Sequence, residues 1–208
     1  MAYEIEKTTE RIISQLYNHG AQDMDKAALS ALRSSSSIDS YRAQKIWSVF
    51  LSNLDEKWLS RTGKATGVEK AIFASIRMYA LHQQTLDYCV FARKQFFSSA
   101  GANTESGLEL FEVLNYLRQD EKIREALDRR IQALLGTINF SSAVDQLVHL
   151  IQIIKGKLKK EKYAIRIDYA CLAGNLYKFQ MGYRQANEVR LRWGEQYYHF
   201  FKKTVNKE

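Results

Sequence analysis

The chain of 208 residues contains no proline. Average usage would place about ten in a chain of this length. Glycine is thin, at 10 residues. These absences exclude a proline-rich tether, a collagen-like repeat and most turn-dense β architectures. They favour helices, whose interiors tolerate proline least. Cysteine is nearly absent too. Cys89 and Cys171 stand alone, which excludes a disulfide framework and reads as reduced, buried core residues of a cytoplasmic protein. No run of 18 apolar residues occurs, so no membrane span is expected. Met1 to Glu10 is polar and acid-bearing, unlike a signal peptide. What is present is 46% hydrophobic and 26% charged residues, the profile of a folded globular chain. The length fits one domain or two small ones with a sizeable core.

The net charge is +8, and its distribution is uneven. Residues 1–150 carry 18 basic and 18 acidic side chains. Residues 151–208 carry 13 basic against 5 acidic, so the whole excess lies in the last quarter. Such asymmetry points to a polyanion, either nucleic acid or an anionic membrane surface. The plain alternative is a solvated basic face that aids solubility.

Apolar spacing is helical nearly throughout. Ile12, Ile13, Leu16 and Tyr17 form the stripe of a first helix. Asp25 to Leu32 reads as a short second one, closed by a serine run, Ser34 to Ser37. Ile46, Trp47, Phe50, Leu51 and Leu54 suggest a third. Thr66 and Glu69 form a capping-box pattern that would open a helix running to about Cys89. The clearest break is Ser98 to Gly107, which divides the chain into an N-terminal bundle, 1–99, and a C-terminal bundle, 100–208. Beyond it come helices built on Leu108, Phe111, Leu114 and Leu117, and on Ile123, Leu127, Ile131 and Leu134. Ser142 and Asp145 are a cap-like pair for the next, which ends in a basic turn, Lys155 to Lys162. Asp168 reads as the N-cap of Tyr169 to Phe179. Val189, Trp193, Tyr197 and Phe200 mark the last helix. Ala164 to Ile167 is the best strand candidate. The fold class is therefore all-α, two helical bundles of about eight or nine helices in an elongated, two-lobed protein.

Catalytic patterns are missing. His19, His82, His149 and His199 are scattered singly, so no metal site is expected. Gly63 to Gly67 lacks the lysine-hydroxyl pair of a phosphate loop. No Gly-x-Ser-x-Gly elbow occurs. Asp120 and Glu121 open a helix, where carboxylates complement its dipole. The chain is read as no enzyme and as needing no cofactor.

What remains is a set of basic clusters interleaved with aromatics. The candidates for nucleic-acid contact are Arg33, Arg42 and Lys45; Arg118, Arg129 and Arg130; Lys155, Lys157, Lys159 and Lys160; and Arg184, Arg190 and Arg192. Such side chains neutralise phosphates without reading sequence. The strongest surface is expected at the Lys155 to Lys162 turn and the Arg184 to Arg192 approach to the last helix. The aromatics flanked by the last cluster, Tyr183, Trp193, Tyr197, Tyr198 and Phe201, could stack on bases, but the spacing of Trp193 and Tyr197 assigns those two to the core. Adjacent Arg129 and Arg130 lie about 100° apart on a helix, so one is expected at the core rim and the other in solvent.

Several segments together resemble one family, CasB, the small subunit of the type I-E CRISPR complex called Cascade. The resembling segments run in order: Ala27 to Arg33, Tyr79 to Gln84, Gly107 to Arg118, Asp128 to Leu135, Ile167 to Ala173, and Arg192 to Tyr198 with its Trp193-Gly194 pair. By its residues alone, His82-Gln83-Gln84 reads as a polar, exposed helix end. Two departures stand out: Arg33 is followed by four serines where the family often has further basic residues, and Glu109 and Glu112 stand where relatives often have basic ones. The resemblance implies a non-catalytic cytoplasmic subunit that pairs with a second copy. It implies the Cascade backbone and large subunits, crRNA and target DNA as partners, the displaced strand of the R-loop included. The rival is a helical adaptor whose basic C-terminal region docks an acidic protein.

Overall fold

The structure is a computed structural model, and it describes residues 1–18, 23–95, 106–158 and 165–199. Among the described residues the architecture is all-α, with no named strand. The break expected at Ser98 to Gly107 falls mostly outside the described residues, and so does the boundary at residue 99.

Helix α1 (Ala2–Tyr17) buries Ile5, Ile12, Ile13 and Leu16 on one face and stops where Asn18 turns left-handed. Helix α2 (Lys26–Ser34) starts at Asp25, whose carboxylate accepts from Ala28 N at 2.8 Å. It runs two residues past the expected end. A short 3₁₀ helix, η1 (Tyr41–Ile46), leads into α3 (Trp47–Ser52). In place of the single third helix expected from Ile46, the stretch is split, and Trp47 stays partly exposed. A 3₁₀ turn, Glu56–Trp58, precedes α4 (Gly67–Gln83), which opens on the Thr66/Glu69 capping box. Helices α5 (Leu110–Leu117), α6 (Glu121–Gly136) and α7 (Phe140–Leu158) come next. The cap of α7 is not the Ser142/Asp145 pair: Asn139 Oδ1 accepts from Ser142 N at 3.0 Å. Helix α8 (Tyr169–Phe179) begins at Asp168, whose carboxylate takes the Cys171 amide, and α9 (Tyr183–Tyr198) closes the described chain.

Helix α4 stops at Gln83, six residues short of Cys89, because the Gln83 side chain organises the non-helical segment beyond it. Its Nε2 donates to Leu86 O and Tyr88 O, and its Oε1 accepts from Val90 N. His82 and Gln83 are thus buried, contrary to the exposed helix end expected. His82 Nδ1 lies 2.8 Å from the Tyr169 hydroxyl. Burial first, and the Lys155 charge second, lower the His82 pKa to about 4.

Three extended segments tie the chain together. Ile167 bridges in parallel to both Phe91 and Leu108. Gly107 N donates to Arg93 O, and a Cβ at Gly107 would lie 1.9 Å from Ala92 O, so only glycine fits this approach. Helix α8 packs against α1, α4 and α9. Apolar side chains from α1 through α9 join one buried cluster. Trp193 stacks between Phe111 and Phe179, at 4.8 and 5.9 Å between ring centres. Trp193 and Tyr197 are therefore core residues, as their spacing indicated. No described helix is long and apolar enough to cross a membrane.

Candidate nucleic-acid interface

The candidate cations divide by what they already touch. Arg33, Arg42, Lys45, Arg129 and Arg130 have neither a carboxylate within 4.0 Å nor a hydrogen-bond partner among the described residues. Their positions are set by helix geometry. In a 3₁₀ helix, residues three apart eclipse. Ala43 and Ile46 therefore share the buried side of η1, while Arg42 and Lys45 share the exposed side. Arg33, in the last turn of α2, is half-buried, and burial lowers its pKa. Arg129 and Arg130 are both exposed on α6, so neither occupies the core rim expected for one of them. Arg129 shares its shallow surface depression with Glu121, Glu125 and Asp128.

The other candidates are engaged. Arg118 grips Asp128 through two hydrogen bonds, 2.7 and 3.2 Å, and lies over the rings of Tyr197 and Tyr198. This pairing holds the Asp128 carboxyl below its ordinary range. Lys155 donates to Gln84 Oε1 at 2.8 Å, and Lys157 pairs with Asp120 at 3.1 Å. Arg184 pairs with Glu188 one turn on, at 3.3 Å. Arg190 donates to Leu135 O and to Asn187 Oδ1. Arg192 reaches back to Glu109 at 2.8 Å. Lys159 and Lys160 lie outside the described residues, as do Lys162, Phe200, Phe201, Lys202 and Lys203.

The Arg192 contact belongs to a polar hub that the sequence did not signal. Glu109, 4% exposed, accepts from Arg192, Lys94 and Gln196. Glu112 takes the Lys94 ammonium at 2.7 Å and the Glu109 amide at 2.9 Å. Arg93 spans Glu6 on α1 and Asp168 at the start of α8. Burial alone would raise the Glu109 pKa, but the Gln196 and Arg192 hydrogen bonds outweigh it and hold the carboxyl low. For Asp168 burial wins over the Cys171 and Lys94 amides, and its pKa is raised. The two acids that depart from the resembling pattern thus form the anionic side of an internal tie.

Nothing nucleophilic is exposed by this hub. Cys171 is half-buried with its sulfur 3.6 Å from Glu109, and burial pushes its thiol pKa up. Cys89 is likewise half-buried and raised by burial. Neither is as fully enclosed as expected. No group of three metal-ligating side chains occurs among the described residues. Of the described aromatics flanked by the candidate cations of α9, Tyr183 and Tyr198 are exposed and line a groove with Leu135 and Leu191, and elsewhere Tyr41 on η1 is among the exposed rings.

Among the described residues, fold and surface define an all-helical protein with one buried cluster, an internal ionic tie and cations left without partners on α2, η1 and α6. The family model described as CRISPR-associated protein Cse2 matches residues 28–198, and the chain belongs to that family. The crystal structure of CasB from Thermobifida fusca is similar in fold, with a TM-score of 0.66 at 20% sequence identity, covering 93% of this chain and 97% of that one. No match is found among curated proteins.

Proposed function

We propose that this chain is a non-catalytic small subunit of the type I-E CRISPR Cascade complex. It binds nucleic-acid backbone without sequence preference and stabilises crRNA-guided target DNA, the displaced strand of the R-loop included. Its partners are the Cascade backbone and large subunits and a second copy of itself. Family membership supports the setting. The observation that carries the binding role is the set of cations without a partner among the described residues, Arg33, Arg42, Lys45, Arg129 and Arg130. A cation already paired to a carboxylate must break that pair before it can take a phosphate, whereas these are ready. Base pairing with a guide supplies sequence in such a system, so charge and shape suffice for the subunit.

The test is a salt-series gel shift of the full chain with single- and double-stranded DNA of unrelated sequences. Affinity should fall steeply and linearly in log–log form as salt rises, and equally for every sequence. Absence of binding at about 50 mM salt contradicts backbone binding by the isolated chain, and a sequence-selective response contradicts the readout. The adaptor reading has one observation of its own: the α6–α9 groove is walled by Leu135, Tyr183, Leu191 and Tyr198 and edged by the Arg184–Glu188 pair, a mixture suited to a protein surface.

A further inference from the structure

Helix α2 and η1 enclose a solvent-open hollow of about 280 Å³, lined by Ala27, Ser30, Ala31, Ser34, Arg42 and Lys45. Ser30 and Ser34 lie one turn apart on α2, so their hydroxyls share a face. Ala27 and Ala31 between them leave the space that larger side chains would fill. Across the gap, the eclipsed Arg42 and Lys45 present two cations on one side of η1. Among the described residues no carboxylate lines the hollow, in contrast to the depression beside Arg129, which has three.

We propose that this hollow is a phosphate seat, holding one backbone phosphate of a bound nucleic-acid strand. The inference rests on the backbone-binding reading above and gives it an anchor point. The Arg42 guanidinium offers a flat fork to two phosphate oxygens, and Lys45 adds a point charge. The Ser30 hydroxyl has no partner among the described residues and donates to a third oxygen. The Ser34 hydroxyl already donates to Ala31 O at 3.1 Å and exchanges that bond only when a phosphate enters. None of these groups reads a base edge, so the seat is neutral to sequence. Its open side lets a chain enter and leave.

The experiment uses the full chain in two arms. In the first, inorganic phosphate is titrated while amide resonances are followed. Shifts should concentrate at Ser30, Ser34, Arg42 and Lys45 and spare Arg129; shifts absent there, or spread over all surface cations, overturn the seat. In the second, binding of an oligothymidylate of about 12 nucleotides, within the usual site size, is measured against salt. The double variant Arg42→Glu, Lys45→Glu should lower the salt slope by about 1.4, two contacts at about 0.7 each. Ser30→Ala should keep the slope and weaken binding about threefold, the scale of one neutral hydrogen bond. An unchanged slope in the double variant, with a fall in Arg129→Glu, Arg130→Glu, overturns the seat and leaves the backbone-binding reading standing. No binding by the unaltered chain overturns both.

Discussion

In residues 151–208 basic side chains outnumber acidic ones 13 to 5, yet each candidate cation described there already has a protein partner: Lys155, Lys157, Arg184, Arg190 and Arg192. Residues 1–150 sum to zero, yet Arg33, Arg42, Lys45, Arg129 and Arg130 make no ion pair among the described residues. Net charge and the partner-free candidate cations among the described residues thus lie in different regions. The first governs long-range attraction of a polyanion. The second governs which side chains touch phosphate, because a contact requires a donor that is not already spent. Arg192 illustrates the difference: it counts toward the C-terminal excess, but its guanidinium is held by Glu109 on α5 in a tie that also involves Lys94 and Gln196.

That contrast can be strained in four ways, taken from the largest effect down. Trp193→Ala removes the ring stacked between Phe111 and Phe179 and should cost about 4 kcal/mol of unfolding free energy in urea. A loss of DNA affinity without a loss of stability would move Trp193 from the core to the ligand. Glu109→Ala leaves Arg192 without its anion, while Lys94 keeps Glu112, and should cost about 3 kcal/mol, read in the same assay. Binding of an oligonucleotide by the folded fraction should be no weaker, since the Arg192 cation is released.

The third concerns pH. His82 is neutral when folded, with its pKa lowered to about 4, whereas in the unfolded chain it titrates near its ordinary value of about 6.5. As pH falls from about 6.5 to about 4, the unfolded chain takes a proton that the folded one refuses, so stability falls across that window. Urea midpoints measured along it should drop, and His82→Gln should flatten that part of the curve. The smallest effect on stability belongs to Arg129→Glu, Arg130→Glu, expected within about 0.5 kcal/mol of the unaltered chain. Its cost should appear in DNA binding, alike for all sequences.

Much of the helical frame was legible locally. The Thr66/Glu69 box and Asp168 each cap the helix that their spacing announced, since a cap acts within three residues, and Asp25 and Asp120, read only as helix starts, are caps as well. The α4 end was not legible, because it depends on Gln83 reaching Leu86, Tyr88 and Val90 through side-chain bonds no periodicity encodes. Nor was the burial of His82, whose partner Tyr169 is 87 residues away. The family resemblance survived these misreadings because it rested on the order of segments.

The candidate interface was legible only in part, for the same physical reason. Arg184 with Glu188 is a one-turn pair visible in sequence. Lys157 with Asp120 and Arg192 with Glu109 bridge 37 and 83 residues, so their commitment shows only in the fold. Arg42 and Lys45 were grouped as one cluster by their nearness in the chain, but their eclipsed placement on η1 shows only in the fold. Three residues per turn bring them together.

The most direct measurement of the central claim compares two double charge reversals of equal size, Arg42→Glu with Lys45→Glu, and Lys157→Glu with Arg184→Glu, in oligonucleotide affinity across a salt series. Available cations predict a clear fall in slope, about 1.4, for the first pair and a smaller one for the second. Equal falls, or a larger one for the second pair, would mean that net charge at the C-terminal end decides binding, and would contradict the account.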